Sequence, residues 1–149
     1  MKVFISWSGS RSQQLATLLR SWLPDVLHTV TPWMSAEDIY AGDRWGQEVD
    51  KELEASDFGI LCVTSDNLTA PWLLFEAGAL SKSIDKSRVV PLLLDLSPSN
   101  VVKSPLTRFQ MKTVARDDML ALVHAIMRTT RFCSRPRAAM SARSWRSAS

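Results

Sequence analysis

The residue with the clearest chemical potential is a single glutamate in an otherwise apolar segment, Thr69-Ala-Pro-Trp-Leu-Leu-Phe-Glu76. Thr69 is a preferred helix-capping residue and Pro71 suits a first helical turn, so the segment predicts a helix start. Trp72 and Glu76 then share one helix face. A fixed carboxylate can accept hydrogen bonds and stabilise positive charge, and it is costly to bury without such a use. The alternative, that Glu76 is a solvated or capping residue beside a core tryptophan, stays open.

The elements around this segment predict where the glutamate lies. The apolar run Phe58–Val63 precedes it and is typical of a buried strand. A strand that leads into a helix places the helix start at the carboxyl edge of a parallel sheet, where open α/β folds bind ligands. The loops expected at the same edge are 6–11, 31–45 and 64–72.

Apolar runs and helical spacing alternate along the chain. The predicted strands are Val3–Ile5, Leu27–Val30, Phe58–Val63, Val89–Leu94 and Phe109–Ala115. The predicted helices run from Ser10 or Ser12 as cap to Pro24, from Trp45 to Leu53, from Trp72 to about Ser83, and from Asp117 onward. This alternation predicts a flavodoxin-like, doubly wound α/β fold with a five-stranded parallel sheet and helices on both faces.

Two local expectations accompany this assignment. Residues 31–43 read as a long polar loop, so Trp33 is expected outside the core. Pro91, which cannot donate a backbone hydrogen bond, favours an edge position or a local irregularity for its strand.

Charge and composition divide the chain into residues 1–130, a domain, and residues 131–149, a basic Ser/Ala/Arg-rich tail that we expect to be disordered. The chain carries 18 Lys and Arg against 15 Asp and Glu, and five of the arginines lie in the tail, which has no acid. Residues 1–130 are therefore net about −2, which argues against a nucleic-acid-binding domain. The tail is interpreted as a solvated extension, with non-specific binding to anions as the alternative.

Several functional classes have no support in the sequence. No apolar run reaches the roughly 20 residues of a membrane span, and no signal peptide is apparent. Cys62 lies in an apolar run and is predicted to be a buried free thiol, which fits a reducing, cytoplasmic setting. Metal-ligand spacing, the Walker phosphate loop and the dinucleotide glycine fingerprint are absent, so we expect no metal and no bound cofactor.

Four motifs in order resemble the Toll/interleukin-1 receptor (TIR) domain family. They are Val3-Phe-Ile-Ser-Trp-Ser8, the loop segment from Met34 to Trp45, Ser56-Asp-Phe-Gly-Ile-Leu-Cys-Val-Thr-Ser65, and Trp72-Leu-Leu-Phe-Glu76. The last is similar to the W-x-x-x-E signature of bacterial TIR domains. The resemblance covers about residues 1–130. An acidic residue often found after the first strand in the family is missing here, where Arg11 and Gln13 stand.

The resemblance implies an enzyme that cleaves NAD⁺ at the nicotinamide–ribose bond, with NAD⁺ as substrate rather than cofactor. It implies that Glu76 is the catalytic residue. The candidate substrate-binding residues are Ser6, Trp7, Ser8, Trp33, Ser35, Arg44 and Trp72. For Trp72 the alternative role is core packing, for Trp33 it is a partner contact, and for Arg44 it is a solvated helix start.

The same resemblance implies a role in bacterial anti-phage defence and self-association through TIR domains, with a sensor or effector protein as a further partner. The product is ADP-ribose or a cyclic isomer of it. The alternative function is a non-enzymatic TIR interaction module, since one fold serves many functions. A nucleoside- or nucleotide-glycosyl-transferring enzyme on a related fold is a weaker third interpretation.

Overall fold

The computed structural model describes residues 1–34, 55–68, 88–101 and 104–130. Its centre is a five-stranded sheet in the order β2-β1-β3-β4-β5, with every described pair of strands parallel. The strands are β1 (Lys2–Ser6), β2 (Thr31–Met34), β3 (Phe58–Val63), β4 (Val89–Leu93) and β5 (Lys112–Thr113). The described helices are α1 (Ser10–Val26) and α2 (Arg116–Thr130), with 3-10 turns at Pro98–Val101 and Pro105–Arg108. This strand order confirms the predicted flavodoxin-like fold.

Side chains that alternate along the central strands pack into two separate apolar cores, one on each face of the sheet. Val3 and Ile5 of β1 pack on one face with α1 and α2, whereas Phe4 packs on the other face. Four α2 side chains on the first face are fully buried, Met119, Leu122, Val123 and Ile126, and Met127 packs against them partly buried. β3 is buried along its whole length, as expected for a strand covered on both faces.

The second strand lies four residues later than predicted. Leu27 and Val30 are apolar because they are buried in the turn after α1, where the amide of Val30 donates to the carbonyl of Leu27. The strand starts at Thr31, and the predicted loop over residues 31–43 was therefore wrong for Thr31–Met34. Because β2 is an edge strand of the sheet, it tolerates Pro32.

Both predicted ends of α1 were wrong. Gly9 is the N-cap residue, with φ of 90°, and neither Ser10 nor Ser12 takes that position. A positive φ is strained for residues with a Cβ, which explains the glycine. Pro24 lies within the helix, which continues to Val26. A proline this near the end removes only one backbone hydrogen bond of the last turns.

β4 is an inner strand, so the edge position suggested by Pro91 was wrong. The amide of Leu94 faces β3, where it donates to Val63, and the carbonyl of Leu93 faces β5, where it accepts from Val114. Because this direction alternates along a strand, the nitrogen of Pro91 faces β5. β5 pairs only with Leu92 and Leu93, so the missing amide of Pro91 falls just before the paired stretch.

β5 has two residues rather than the predicted seven. Phe109 follows the 3-10 turn Pro105–Arg108 and packs into the second core, so its apolar character again serves packing outside a strand. The helices predicted over residues 45–53 and 72–83 lie outside the described residues, as does the tail from residue 131. Among the described helices, none combines the length and apolarity needed to cross a membrane.

Candidate functional site

The residues that follow β1 lie at the carboxyl edge of the sheet and are almost completely buried. Ser6 ends β1 beside Leu61 of β3 and has no exposed surface. Trp7 is 5% exposed and packs in the first core, and Ser8 is 8% exposed. The side chains of these three residues are therefore largely shielded from solvent, and Trp7 presents no exposed ring face at this edge.

The segment after β3 is joined to this loop through Asn67, which is 2% exposed. The Asn67 Oδ1 accepts a hydrogen bond from the Thr64 amide at 2.7 Å. Its Nδ2 donates to the Ser8 carbonyl at 2.9 Å and to the Cys62 carbonyl at 3.0 Å. One buried side chain thus connects the ends of two neighbouring strands.

Ser12, in the first turns of α1, makes a second connection between the same two segments. Its Oγ donates to the Cys62 carbonyl at 2.7 Å and accepts from the Ser8 amide at 3.1 Å. Ser12 is fully buried, so these bonds are shielded from water. The predicted capping role of this serine is replaced by a bond across to β3.

An outer layer of charged groups covers the same edge. Arg11 contacts Asp95 at 2.8 Å and Asp66 at 3.2 Å, and Asp95 also accepts from the amide and the hydroxyl of Ser65, at 2.8 and 2.6 Å. The Ser65 hydroxyl, the Ser65 amide and Arg11 together hold the pKa of Asp95 below its usual range, against the opposing effect of desolvation. Arg11 thus forms ion pairs with acids from the turns after β3 and β4.

Three buried polar atoms at this edge have no hydrogen-bond partner in the structure, among the residues it describes. They are the Ser6 Oγ, the Trp7 Nε1 and the Thr64 Oγ1, at the carboxyl ends of β1 and β3. Buried polar groups are nearly always paired, so such atoms are candidates to bind polar groups of a ligand or of water. Ser6 and Trp7 were predicted as substrate-binding residues on other grounds, whereas Thr64 was not.

Trp33 belongs to the sheet, which corrects its predicted position in a mobile loop. It lies on β2 opposite Phe4 of β1, and the two ring centroids are 5.0 Å apart with an interplanar angle of 32°. The side chain is half-buried against the second core. Packing in the second core thus accounts for most of the Trp33 surface.

The remaining predicted site residues lie outside the described part of the chain. These are Glu76, Trp72, Ser35 and Arg44. Their assignments stay predictions from the sequence. The described residues hold no group of three or more His, Cys, Asp or Glu side chains that could bind a metal ion.

Asn67, Ser12 and Thr64 are the polar residues that the sequence interpretation missed. Asn67 had one available signal, since Thr64-Ser-Asp-Asn67 directly follows a buried strand and Asx side chains commonly bind nearby backbone. Ser12 had none, because its partner Cys62 is 50 residues away in sequence.

Comparisons with known proteins agree with this architecture. Among the solved structures, the chain is similar to the TIR domains of an activated Roq1 resistosome that directly recognises the pathogen effector XopQ. The TM-score is 0.50 at 20% sequence identity, with 87% of this chain and 83% of that chain covered, a likeness that concerns the fold alone. No match was found among curated protein sequences.

A protein-family model gives the assignment. The TIR domain model matches residues 3–124, which span all five strands of the sheet and most of α2. With this match, and with a parallel sheet in the order expected for the fold, the chain belongs to the TIR domain family.

Proposed function

We propose that this TIR domain is an NAD⁺ glycohydrolase with Glu76 as its catalytic residue. The observation that carries the proposal is the W-x-x-x-E spacing of Trp72 and Glu76 in a chain of the TIR family. The buried polar atoms of Ser6, Trp7 and Thr64 at the carboxyl edge support it, because a dinucleotide offers hydroxyl and phosphate groups as partners.

The reaction needs only one carboxylate. The bond between ribose C1′ and the nicotinamide nitrogen breaks, and the cationic ring takes the bonding electrons and leaves as neutral nicotinamide. No acid is required to protonate the leaving group, unlike in ordinary glycosidases. Glu76 stabilises the positive charge that develops on the ribose and accepts hydrogen bonds from its hydroxyls. Water then adds to C1′ and loses a proton, giving ADP-ribose, whereas attack by a group of the same molecule gives a cyclic isomer.

Other residues hold the substrate in this proposal. Trp72, four residues before Glu76 in the sequence, stacks on the nicotinamide or forms a wall beside it. Ser6 and Ser8 bind ribose or diphosphate through hydroxyl and backbone groups, and Arg44 neutralises a phosphate. The residue chemistry suits NAD⁺ as substrate and calls for no resident cofactor or metal.

Association between TIR domains is part of the proposal. The loop that contains Ser35 and Arg44 helps to complete the site when domains assemble, so activity rises with protein concentration. The biological role that fits is bacterial anti-phage defence inside the cytoplasm, with assembly triggered by a sensor protein. TIR association without catalysis is the alternative function, and the test below separates the two.

The test is nicotinamide release from NAD⁺ by concentrated full-length chain, with products separated by chromatography. Glu76→Gln, which keeps the side-chain size, is expected to lower the rate by about 100-fold or more. Asp25→Asn removes an exposed carboxylate at the other end of α1 and serves as the control, with an unchanged rate expected. No release by the wild-type chain, even with a crowding agent that promotes assembly, would favour the interaction module.

A further inference from the structure

The loop between β1 and α1 is held by two buried side chains that come from opposite sides. Asn67, in the turn after β3, binds the carbonyl of Ser8, and Ser12, in α1, binds the amide of Ser8. Both side chains also donate to the carbonyl of Cys62 at the end of β3. The two backbone groups of Ser8 are therefore tied to one fixed point of the central strand.

The partners of Asn67 determine the orientation of its amide. Nδ2 faces two carbonyl oxygens, which can only accept, and Oδ1 faces the Thr64 amide, which can only donate. The opposite orientation would place Oδ1 against the two carbonyl oxygens and Nδ2 against the Thr64 amide, so none of these three contacts could be a hydrogen bond. Asn67 thus forms hydrogen bonds both within the turn that contains it and to the loop that follows β1.

These hydrogen bonds matter because the loop contains Gly9, whose backbone can adopt many conformations. Gly9 adopts a φ of 90°, and no heavy atom lies within 4 Å of the position that a Cβ would take. Glycine reaches many conformations of similar energy, so the contacts around it determine which one is adopted. The Gly9 carbonyl accepts from the Gln13 amide at 2.9 Å, and the neighbouring Ser8 is held by its hydrogen bonds to Asn67 and Ser12.

We propose that Asn67 is a positioning residue for NAD⁺ cleavage, which holds Ser6, Trp7 and Ser8 where they meet the substrate. This inference rests on the proposed function. Asn67 acts through the loop, because its amide oxygen and nitrogen are already hydrogen-bonded to the backbone of Thr64, Ser8 and Cys62. Loss of its two donor bonds loosens the loop and weakens substrate binding more than it slows the chemical step.

The chain contains a matched control in Asn100. Its Oδ1 accepts from the amide of Ser97, three residues earlier, as that of Asn67 does from Thr64. The backbone amide of each asparagine also donates to the carbonyl three residues earlier. Asn100 is exposed in the loop after β4, so it reproduces the local turn without the bonds to Ser8 and Cys62.

The experiment compares Asn67→Asp with Asn100→Asp in the full chain. Aspartate keeps the size of the side chain and the acceptor for the turn amide, but it places an oxygen against the Ser8 and Cys62 carbonyls. For Asn67→Asp we expect KM for NAD⁺ to rise about tenfold or more, with kcat changed much less. For Asn100→Asp both constants are expected to stay within about twofold. Exchange of the Ser8 amide hydrogen is expected to accelerate in Asn67→Asp alone.

The outcomes separate this inference from the proposed function. If the wild-type chain releases nicotinamide and Asn67→Asp loses activity at unchanged KM, the residue only supports folding and the inference is overturned. Wild-type inactivity would overturn the proposed function and the positioning role together. Should Asn67→Asp fail to fold, Ser12→Ala tests the same loop from the helix side. Its control is Thr17→Ala, which removes an exposed hydroxyl bond to the Gln13 carbonyl on the same helix.

Discussion

The ring of Trp33 on β2 lies against the ring of Phe4 on β1, with centroids 5.0 Å apart. The two residues are register partners in parallel strands, so their side chains leave the sheet on the same face. Phe4 is fully buried and Trp33 is half-buried, which makes the tryptophan a cover for the edge of the second core. The pair also links the edge strand to the strand that ends at Ser6.

Trp33→Ala is expected to destabilise the fold by about 2 kcal/mol, less than for a fully buried aromatic, because Trp33 is only partly buried. Trp33→Phe keeps a ring against Phe4 and is expected to lose less. Urea unfolding followed by circular dichroism measures both. If the alanine variant were as stable as the wild type, packing by Trp33 would contribute no stability, and the role first predicted for it, a ligand or partner contact, would be favoured.

The shift of β2 explains why the sequence misplaced this residue. Leu27 and Val30 have the apolar character of strand residues. They lie instead in the turn after α1, where both pack into the first core. Apolar residues report burial, and only the packing decides whether a buried residue is in a turn or a strand. β3 was predicted correctly because a run of six apolar or small residues bounded by polar ones has the length typical of a strand buried on both faces.

The site was less predictable than the fold for a related reason. Ser8 and Asn67 are 59 residues apart, and their hydrogen bond exists only because β1 and β3 are neighbours in a particular register. A sequence pattern shows where a polar residue follows a strand, whereas the partner depends on strand order. The sequence therefore allowed Ser6 and Ser8 to be proposed as site residues but had no means of identifying the residues that hold them.

Cys62 is expected to be unreactive in the folded protein. It lies in β3 with no exposed surface and is not in a disulfide bond. Alkylation requires an accessible thiolate, so labelling must wait for the central strand to open. We expect labelling by iodoacetamide at least about 100-fold slower than in urea, with the Cys62 peptide followed by mass spectrometry. Rapid native labelling at Cys62 would contradict the burial of β3.

At the carboxyl edge, we expect Asp95 to contribute more to the stability of the fold than Arg11 does. Arg11→Gln removes an exposed pair, which contributes little in water and less in salt. Asp95→Asn also weakens the two bonds from Ser65 that fix the turn after β3. The melting temperature should therefore fall more for Asp95→Asn, with a difference that persists at high salt. Arg20→Gln, an exposed change farther along α1, is the control for Arg11.

Asp118 is expected to give the fold a pH-dependent contribution at the start of α2. Its carboxylate accepts from the Thr113 amide at 2.8 Å and from the Thr113 hydroxyl at 2.9 Å. The Thr113 amide is the main cause of a lowered pKa for Asp118, and the Thr113 hydroxyl and the charge of Lys112 act in the same direction. The first turn of the helix favours a negative charge as well.

The sign of the effect follows from the lowered pKa. The folded state binds the proton more weakly than the unfolded state, so the stabilisation is complete above the unfolded pKa of about 3.9 and is lost as the pH falls through the lower folded value. Asp118→Asn is expected to cost about 1 kcal/mol at pH 7, and that difference should shrink below about pH 4. Asp117→Asn, an exposed neighbour in the same helical turn, controls for helix charge alone. Urea unfolding across pH 2–8 measures both variants. An equal loss in the two, or a gap for Asp118→Asn that is undiminished at pH 2, would show that the bonds to Thr113 contribute no stability.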